Sequence, residues 1–251
     1  IKRFSEDPVR SLRAIRFSNK LKFKIDNKIK DAIYKQGHLL SHISNARLFD
    51  EFCKIFLNGI AEKNFKKLES YGLIQYLILT NPNGTIFSSE LIKEALRNTD
   101  KRFGENKSIT PGFLIAAMLW PVLIKRASKN DEINLRKFFR SMDQVLKNQQ
   151  NITAIPRKFH TYIKDIWILQ LKLHSRIGKQ PYKTLKHPRF RAAYDFLLIR
   201  EKASKCKPDL GSWWTKFQKN DPGAQKSLIS NLRELNEEQS FKKFGFPEEL
   251  I

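Results

Sequence analysis

The chain has 251 residues, 41% of them hydrophobic, and sets 48 Lys and Arg against 25 Asp and Glu for a formal charge of +23. That composition supports one large domain or two smaller ones, and a field that draws phosphates or anionic lipid. It excludes a membrane span, since no apolar run approaches the ~20 residues required, and a disulfide scaffold, since Cys53 and Cys206 are the only cysteines.

In chain order the signals are helical. "SEDPVRSLRAIRFSNKL" (5–21) places Ser5 at an N-cap, acids and Pro8 in a first turn, and Val9, Leu12, Ile15 and Leu21 toward a core. "NARLFDEFCKIFLNGI" (45–60) repeats the pattern through Leu48, Phe52, Ile55 and Phe56, with Gly59 as a C-cap. "AEKNFKKLESYGLI" (61–74) stops at Gly72, and "SSELIKEALRNTDKRF" (88–103) begins with a serine cap and ends at Gly104. "TPGFLIAAMLWPVLIKRA" (110–127) is apolar nearly all round and reads as a buried helix. Further helices are predicted over 132–149, 156–177, 187–203 and 212–220. Strict strand alternation is absent, and Asn-Gly at 83–84 lacks strands on both sides. The fold class is all-α. Soft boundaries fall in "LTNPNGT" (79–85), "NITAIPRKF" (151–159) and "CKPDLGS" (206–212).

Charge is uneven. Residues 1–40 carry 11 basic and 4 acidic groups, residues 151–210 carry 14 and 4, and residues 211–251 balance at 6 and 6. Two basic zones on either side of a more neutral middle fit a polyanion touched in two places. In the first zone, a continuous helix sets Glu6 and Arg13 about 20° apart and Arg10 about 40° from Glu6, with Asp7 on the adjacent row. One reading is surface ion pairs of about 0.2–0.5 kcal/mol each. The other is recognition. A carboxylate accepts and a guanidinium donates, which matches the donor–acceptor order on the pairing edge of adenine or cytosine and mismatches guanine and uracil.

"RFSEDPVRSLRAIRFSNKLKFKI" (3–25) resembles the segment that follows the catalytic head in class II nucleotidyltransferases, the family of bacterial poly(A) polymerases and CCA-adding enzymes. The resemblance implies that Asp7 and Arg10 contact the incoming base while Glu6 and Arg13 orient them. "ISNARLFDEF" (43–52) resembles the next motif, which braces the neck through Arg47 and Glu51; Ala46 stands where CCA-adding enzymes carry an acid. "LRNTDKRF", "TPGFLIAAMLWPVL", "AIPRKFHTYIKDIWILQLKL" and "KHPRFRAAYDFLLIRE" are similar to the poly(A) polymerase branch, so the resemblance runs from residue 1 to about 217. It implies a neck at 1–62, a body at 63–150 and a basic C-terminal region with a neutral tail at 151–251. It also implies ATP as substrate and RNA 3′ ends as partner. The family's head holds Mg²⁺ on an Asp-x-Asp pair beside a Gly-Gly turn, and this sequence has neither. With no initiator Met and a start, "IKRFSEDP", unlike a signal peptide, the expectation is a cytoplasmic, monomeric fragment that is inactive alone.

The second basic zone interleaves Arg157, Lys158, Arg176, Lys179, Lys183, Lys186, Arg189 and Arg191 with Phe159, Tyr162, Trp167, Tyr182 and Phe190. The cations are read as RNA phosphate ligands, and Trp167 and most aromatics as core. His38 and His42, four apart, are read as surface histidines, with no metal site, because no acid or cysteine completes one. Cys53 is read as core and Trp213-Trp214 as the anchor of a late helix. Besides the poly(A) polymerase reading, a CCA-adding enzyme and a non-enzymatic RNA-binding module stay open.

Overall fold

The structure, a computed structural model, describes residues 2–81, 89–129, 132–204 and 209–236. Asn83-Gly84, residues 206–208 of the 206–212 boundary with Cys206, and the end of the tail lie outside the described residues. Thirteen α-helices are described. They are α1 (Lys2–Glu6), α2 (Val9–Lys20), α3 (Asn27–Gln36), α4 (Asn45–Phe56), α5 (Ala61–Ser70), α6 (Ser89–Gly104) and α7 (Pro111–Ala127), then α8 (Leu135–Gln150), α9 (Arg157–Leu173), α10 (Gln180–Leu185), α11 (Phe190–Ser204), α12 (Leu210–Lys219) and α13 (Pro222–Asn236). The one addition to the all-α reading is a two-residue ribbon in which Ser128–Lys129 pairs antiparallel with Glu132–Ile133.

Helix α7 is the axis. Thr110 caps it by accepting from the Phe113 N–H at 3.1 Å, and Leu114 through Ile124 are buried without interruption. Pro121 sits inside it. An interior proline costs about 3 kcal/mol, which the burial of Leu119, Trp120 and Leu123, each about 1.5–3 kcal/mol, offsets. Helices α8 and α9 pack on α7, and α6 and α11 pack on each other beside it. The buried Trp167 ring of α9 donates from Nε1 to the Ala116 carbonyl at 2.9 Å, joining α9 to α7. This main core runs from Leu12 to Ile199. A second cluster, built from α9, α11, α12 and α13, centres on Trp214 and Phe217, and Trp214 Nε1 donates to the Leu173 carbonyl at 2.9 Å.

Some expectations are corrected. Ser5 lies inside α1, away from the start of α2; the helical run breaks at Asp7-Pro8, and α2 starts from Pro8, which makes no side-chain cap hydrogen bond. The ring of Pro8 disfavours helical geometry at the residue before it. Val9, Leu12 and Ile15 are fully buried, but Leu21, past the end of α2, is 51% exposed. Gly59 does not cap α4, which ends at Phe56. It adopts a φ of +82°, and the Phe103 ring lies 2.5 Å from where a Cβ would stand. Helices α3, α10 and α13 have no counterpart among the predicted elements. In α3 only Ala32 and Ile33 are buried, too few for a visible apolar stripe. His38 and His42 fall in a 3₁₀ segment, Gly37–His42. At three residues per turn, positions four apart diverge by about 120°, so the α-helical metal spacing does not apply, and both rings are exposed.

Candidate nucleic-acid interface

The break at Asp7-Pro8 turns Asp7 out of the α1 helix and sets its carboxylate over the first turns of α2, facing α4. Three arginines converge on it. Arg47 Nη2 donates to Asp7 Oδ1 at 2.8 Å, and Arg10 Nε and Arg13 Nη1 each stand 3.8 Å from Oδ2. Arg13 also reaches Glu51, its Nε and Nη2 both 3.4 Å from Oε1, and Lys54 Nζ donates to the same oxygen at 3.2 Å. Glu51 is 1% exposed, whereas Asp7 is 22% and Arg10 49% exposed. The network is therefore buried at its Glu51 end and opens to solvent at Asp7 and Arg10. Arg47 and Glu51, one helical turn apart on α4, tie α4 to the start of α2. A carboxylate next to a solvent-facing guanidinium is an acceptor beside a donor, held from behind by Arg47 and Arg13.

Glu6 does not join. It sits in α1 before the break, exposed, and forms no ion pair among the described residues. The single-face geometry drawn for a continuous helix therefore holds for Asp7, Arg10 and Arg13 only. Sequence reading missed Lys54, whose signal was its i,i+3 spacing from Glu51, and missed that Arg47 pairs with Asp7, for which no local signal exists.

The second basic zone is spread out. Arg157 and Lys158 open α9, and Arg176 follows its end, about 25 Å along the axis. Lys158 lies over the Phe159 ring at 5.2 Å and Arg189 over Tyr162 at 4.9 Å. Arg176 is held against Asp209 at 3.4 Å and the Trp213 ring at 5.7 Å, and Arg191 pairs with Asp195 at 3.1 Å. Lys179, Lys183 and Lys186 line α10 and its flanks, exposed. Trp167 is fully buried, Phe190 is buried, and Phe159, Tyr162 and Tyr182 are half-buried. Cys53 packs partly against the core, and burial pushes its thiol up to about 11. Among the described residues no group of three or more His, Cys, Asp or Glu side chains stands together to hold a metal ion, and no helix is long and apolar enough to cross a membrane.

The described residues thus form an almost entirely helical frame with an acid–arginine network at its start and a basic surface toward its end. Residues 22–82 match the family model "Probable RNA and SrmB- binding site of polymerase A", and residues 131–244 match "Polymerase A arginine-rich C-terminus". The chain belongs to the polymerase A family. It is similar to poly(A) polymerase I of Escherichia coli O6:H1 (38% identity over 243 residues, 92% of this chain and 52% of that protein) and of Haemophilus influenzae (33% over 247 residues, 94% and 54%). The CCA-adding enzyme of Anoxybacillus flavithermus is 38% identical over 91 residues, 36% of this chain. The chain spans about half the length of the poly(A) polymerases it matches.

Proposed function

We propose that the chain is the nucleotide-selecting and RNA-holding part of a polynucleotide adenylyltransferase that adds AMP from ATP to RNA 3′ ends in the cytoplasm, working as a monomer. Residues 1–62 form the neck, 63–150 the body, and 151–251 the basic region with its tail. The observation that carries this reading is the Asp7–Arg10 edge, an acceptor beside a donor, braced by Arg47 and Arg13 and open to solvent. Asp7 accepts from the adenine amino group while Arg10 donates to the neighbouring ring nitrogen. Guanine, with the reverse order, leaves two like groups facing each other, and unmatched polar pairs of this kind cost about 1–3 kcal/mol each. Arg157, Lys158, Arg176, Lys179, Lys183, Lys186, Arg189 and Arg191 neutralise RNA phosphates, which carry no sequence information and suit extension of many transcripts.

The residues described here do not fit a Mg²⁺ site, so no step is assigned to a metal in this chain. On this reading Mg²⁺ is held by the family's head, and the chain alone transfers nothing.

The test is Asp7→Ala and Arg10→Ala in the protein carrying its head. Incorporation of A over G should fall by about tenfold or more, with RNA affinity nearly unchanged. Selection as sharp as wild type would refute the role. The match to CCA-adding enzymes over 36% of the chain supports a second reading, since cytosine presents the same order as adenine. CTP incorporation into a tRNA lacking its terminus would establish it.

A further inference from the structure

Four segments remote in sequence converge on a cleft of about 200 Å³: the end of α6, the first turn of α7, the second turn of α9 and the start of α11. Its walls bring together Arg102, Arg189 and Arg191 with a single acid, Asp195, and two aromatic rings, Phe113 and Tyr162. Arg102 is fixed in place, since Nε and Nη2 both donate to the Ser108 carbonyl at 3.1 Å while Nη1 stands 3.4 Å from Asp195 Oδ2. Arg191 reaches the other oxygen of Asp195 at 3.1 Å and remains 71% exposed. Arg189 pairs with no carboxylate among the described residues; its guanidinium stands over Tyr162, 4.9 Å from the ring centroid. The cleft thus carries two cations more than acids and offers a planar, cationic stacking surface that is already built.

That chemistry suits a nucleotide. Unstacked RNA bases are taken up on aromatic rings and guanidinium planes, and arginine forks hold phosphate. The cleft is smaller than a typical drug-sized pocket, which admits one base and excludes a duplex. We propose that this cleft seats one nucleotide of a single-stranded RNA, its base stacked on the Arg189 guanidinium and its adjoining phosphate held by Arg191 against Arg102. Asp195 keeps the two arginines aimed and sets the charge that a bound phosphate must overcome. The inference rests on the RNA-binding reading above and adds the place where one nucleotide is gripped.

The test measures binding of a labelled short oligoadenylate to the whole chain across a salt series. Arg189→Ala and Arg191→Ala should each weaken binding about three- to tenfold, and Arg191→Ala should lower the salt slope by about one while Arg189→Ala changes it less. Lys226→Ala, an exposed lysine on α13, should change affinity less than twofold. Asp195→Asn should tighten binding. On an abasic oligonucleotide the Arg189→Ala loss should shrink while the Arg191→Ala loss persists. If Arg189→Ala and Arg191→Ala match Lys226→Ala while wild type binds RNA, this proposal alone fails. If free ATP at millimolar concentration erases the difference between wild type and Arg189→Ala, the cleft is a free-nucleotide site and the proposal is again overturned. If wild type does not bind oligoadenylate, the RNA reading fails with it.

Discussion

Asp7 is one carboxylate facing three guanidiniums, of which Arg10, 49% exposed, is the most open to solvent, ahead of Arg47 at 44% and Arg13 at 39%. The buried anchor of this arrangement is Glu51, whose Oε1 takes both Arg13 and Lys54 while Oε2 has no hydrogen-bond partner among the described residues. Removing Arg13 leaves that carboxylate with Lys54 alone, and an undercompensated buried charge is costly. Arg13→Ala should therefore lower unfolding free energy by about 1–3 kcal/mol in urea titration, with Arg13→Lys intermediate. Glu6→Ala should change stability by less than about 0.5 kcal/mol and leave the base selection proposed for Asp7 and Arg10 intact, because Glu6 forms no ion pair with these groups. At Cys53, burial raises the thiol to about 11, with Asp50 adding and Lys54 opposing. At pH 8 its thiolate fraction is about a hundredfold below that of a free thiol. In a Cys206→Ser background, alkylation should be correspondingly slow in folded protein and fast in urea.

Between elements, capping and charge come from outside the local sequence. Helix α5 has no cap of its own; Asp100 of α6 supplies one, its carboxylate accepting from Ala61 N–H at 2.6 Å and Glu62 N–H at 3.1 Å. Asp100→Ala should cost about 1–2 kcal/mol by thermal or urea unfolding. Arg97 joins α6 to α5 through Glu62 and pairs with Glu94, which also takes Lys202 of α11. Glu62 is held below its ordinary 4.5, first by the Lys66 hydrogen bond and, against some burial, by Arg97. In Glu94 burial works upward, but Lys202 and Arg97 outweigh it and the net direction is down. Both folded values lie below the unfolded one, so this stability is present above 4.5 and lost as pH falls through the folded values. Asp100, raised chiefly by burial, works with the opposite sign. Acid unfolding should therefore begin below about pH 4.5. Arg97→Met should lower the neutral plateau of a stability–pH curve slightly and shallow its acid limb, bringing the two closer together.

Across the molecule, the charge of +23 is concentrated in the first 40 residues and in 151–210. The second zone covers α9, α10 and α11, whose inner faces serve the core. Many of its cations, Lys179, Lys183, Lys186 and Arg189 among them, stand exposed on the outside of these packed helices. Binding of single-stranded RNA should fall steeply with salt, by about a thousandfold between 50 and 200 mM if six or more phosphates are neutralised. A shallow slope would mean that few of these cations touch RNA.

The sequence by itself determined the helical class, the buried axis at 110–127 and the pairing of Asp7 with Arg10, because apolar period and i,i+3 spacing are local properties that survive any tertiary arrangement. It also carried the family, through motifs that stand in short continuous stretches. Only the tertiary structure decided that Arg47 clasps Asp7, that Glu6 stands apart, that Asp100 caps α5, and that Arg102, Tyr162 and Arg189 share one cleft. Arg47 and Asp7 lie 40 positions apart, and Arg102 and its cleft partner Asp195 lie 93 apart. No periodicity reaches that far; the packing of α4 on α2, and of α6 and α9 on α11, brings them together.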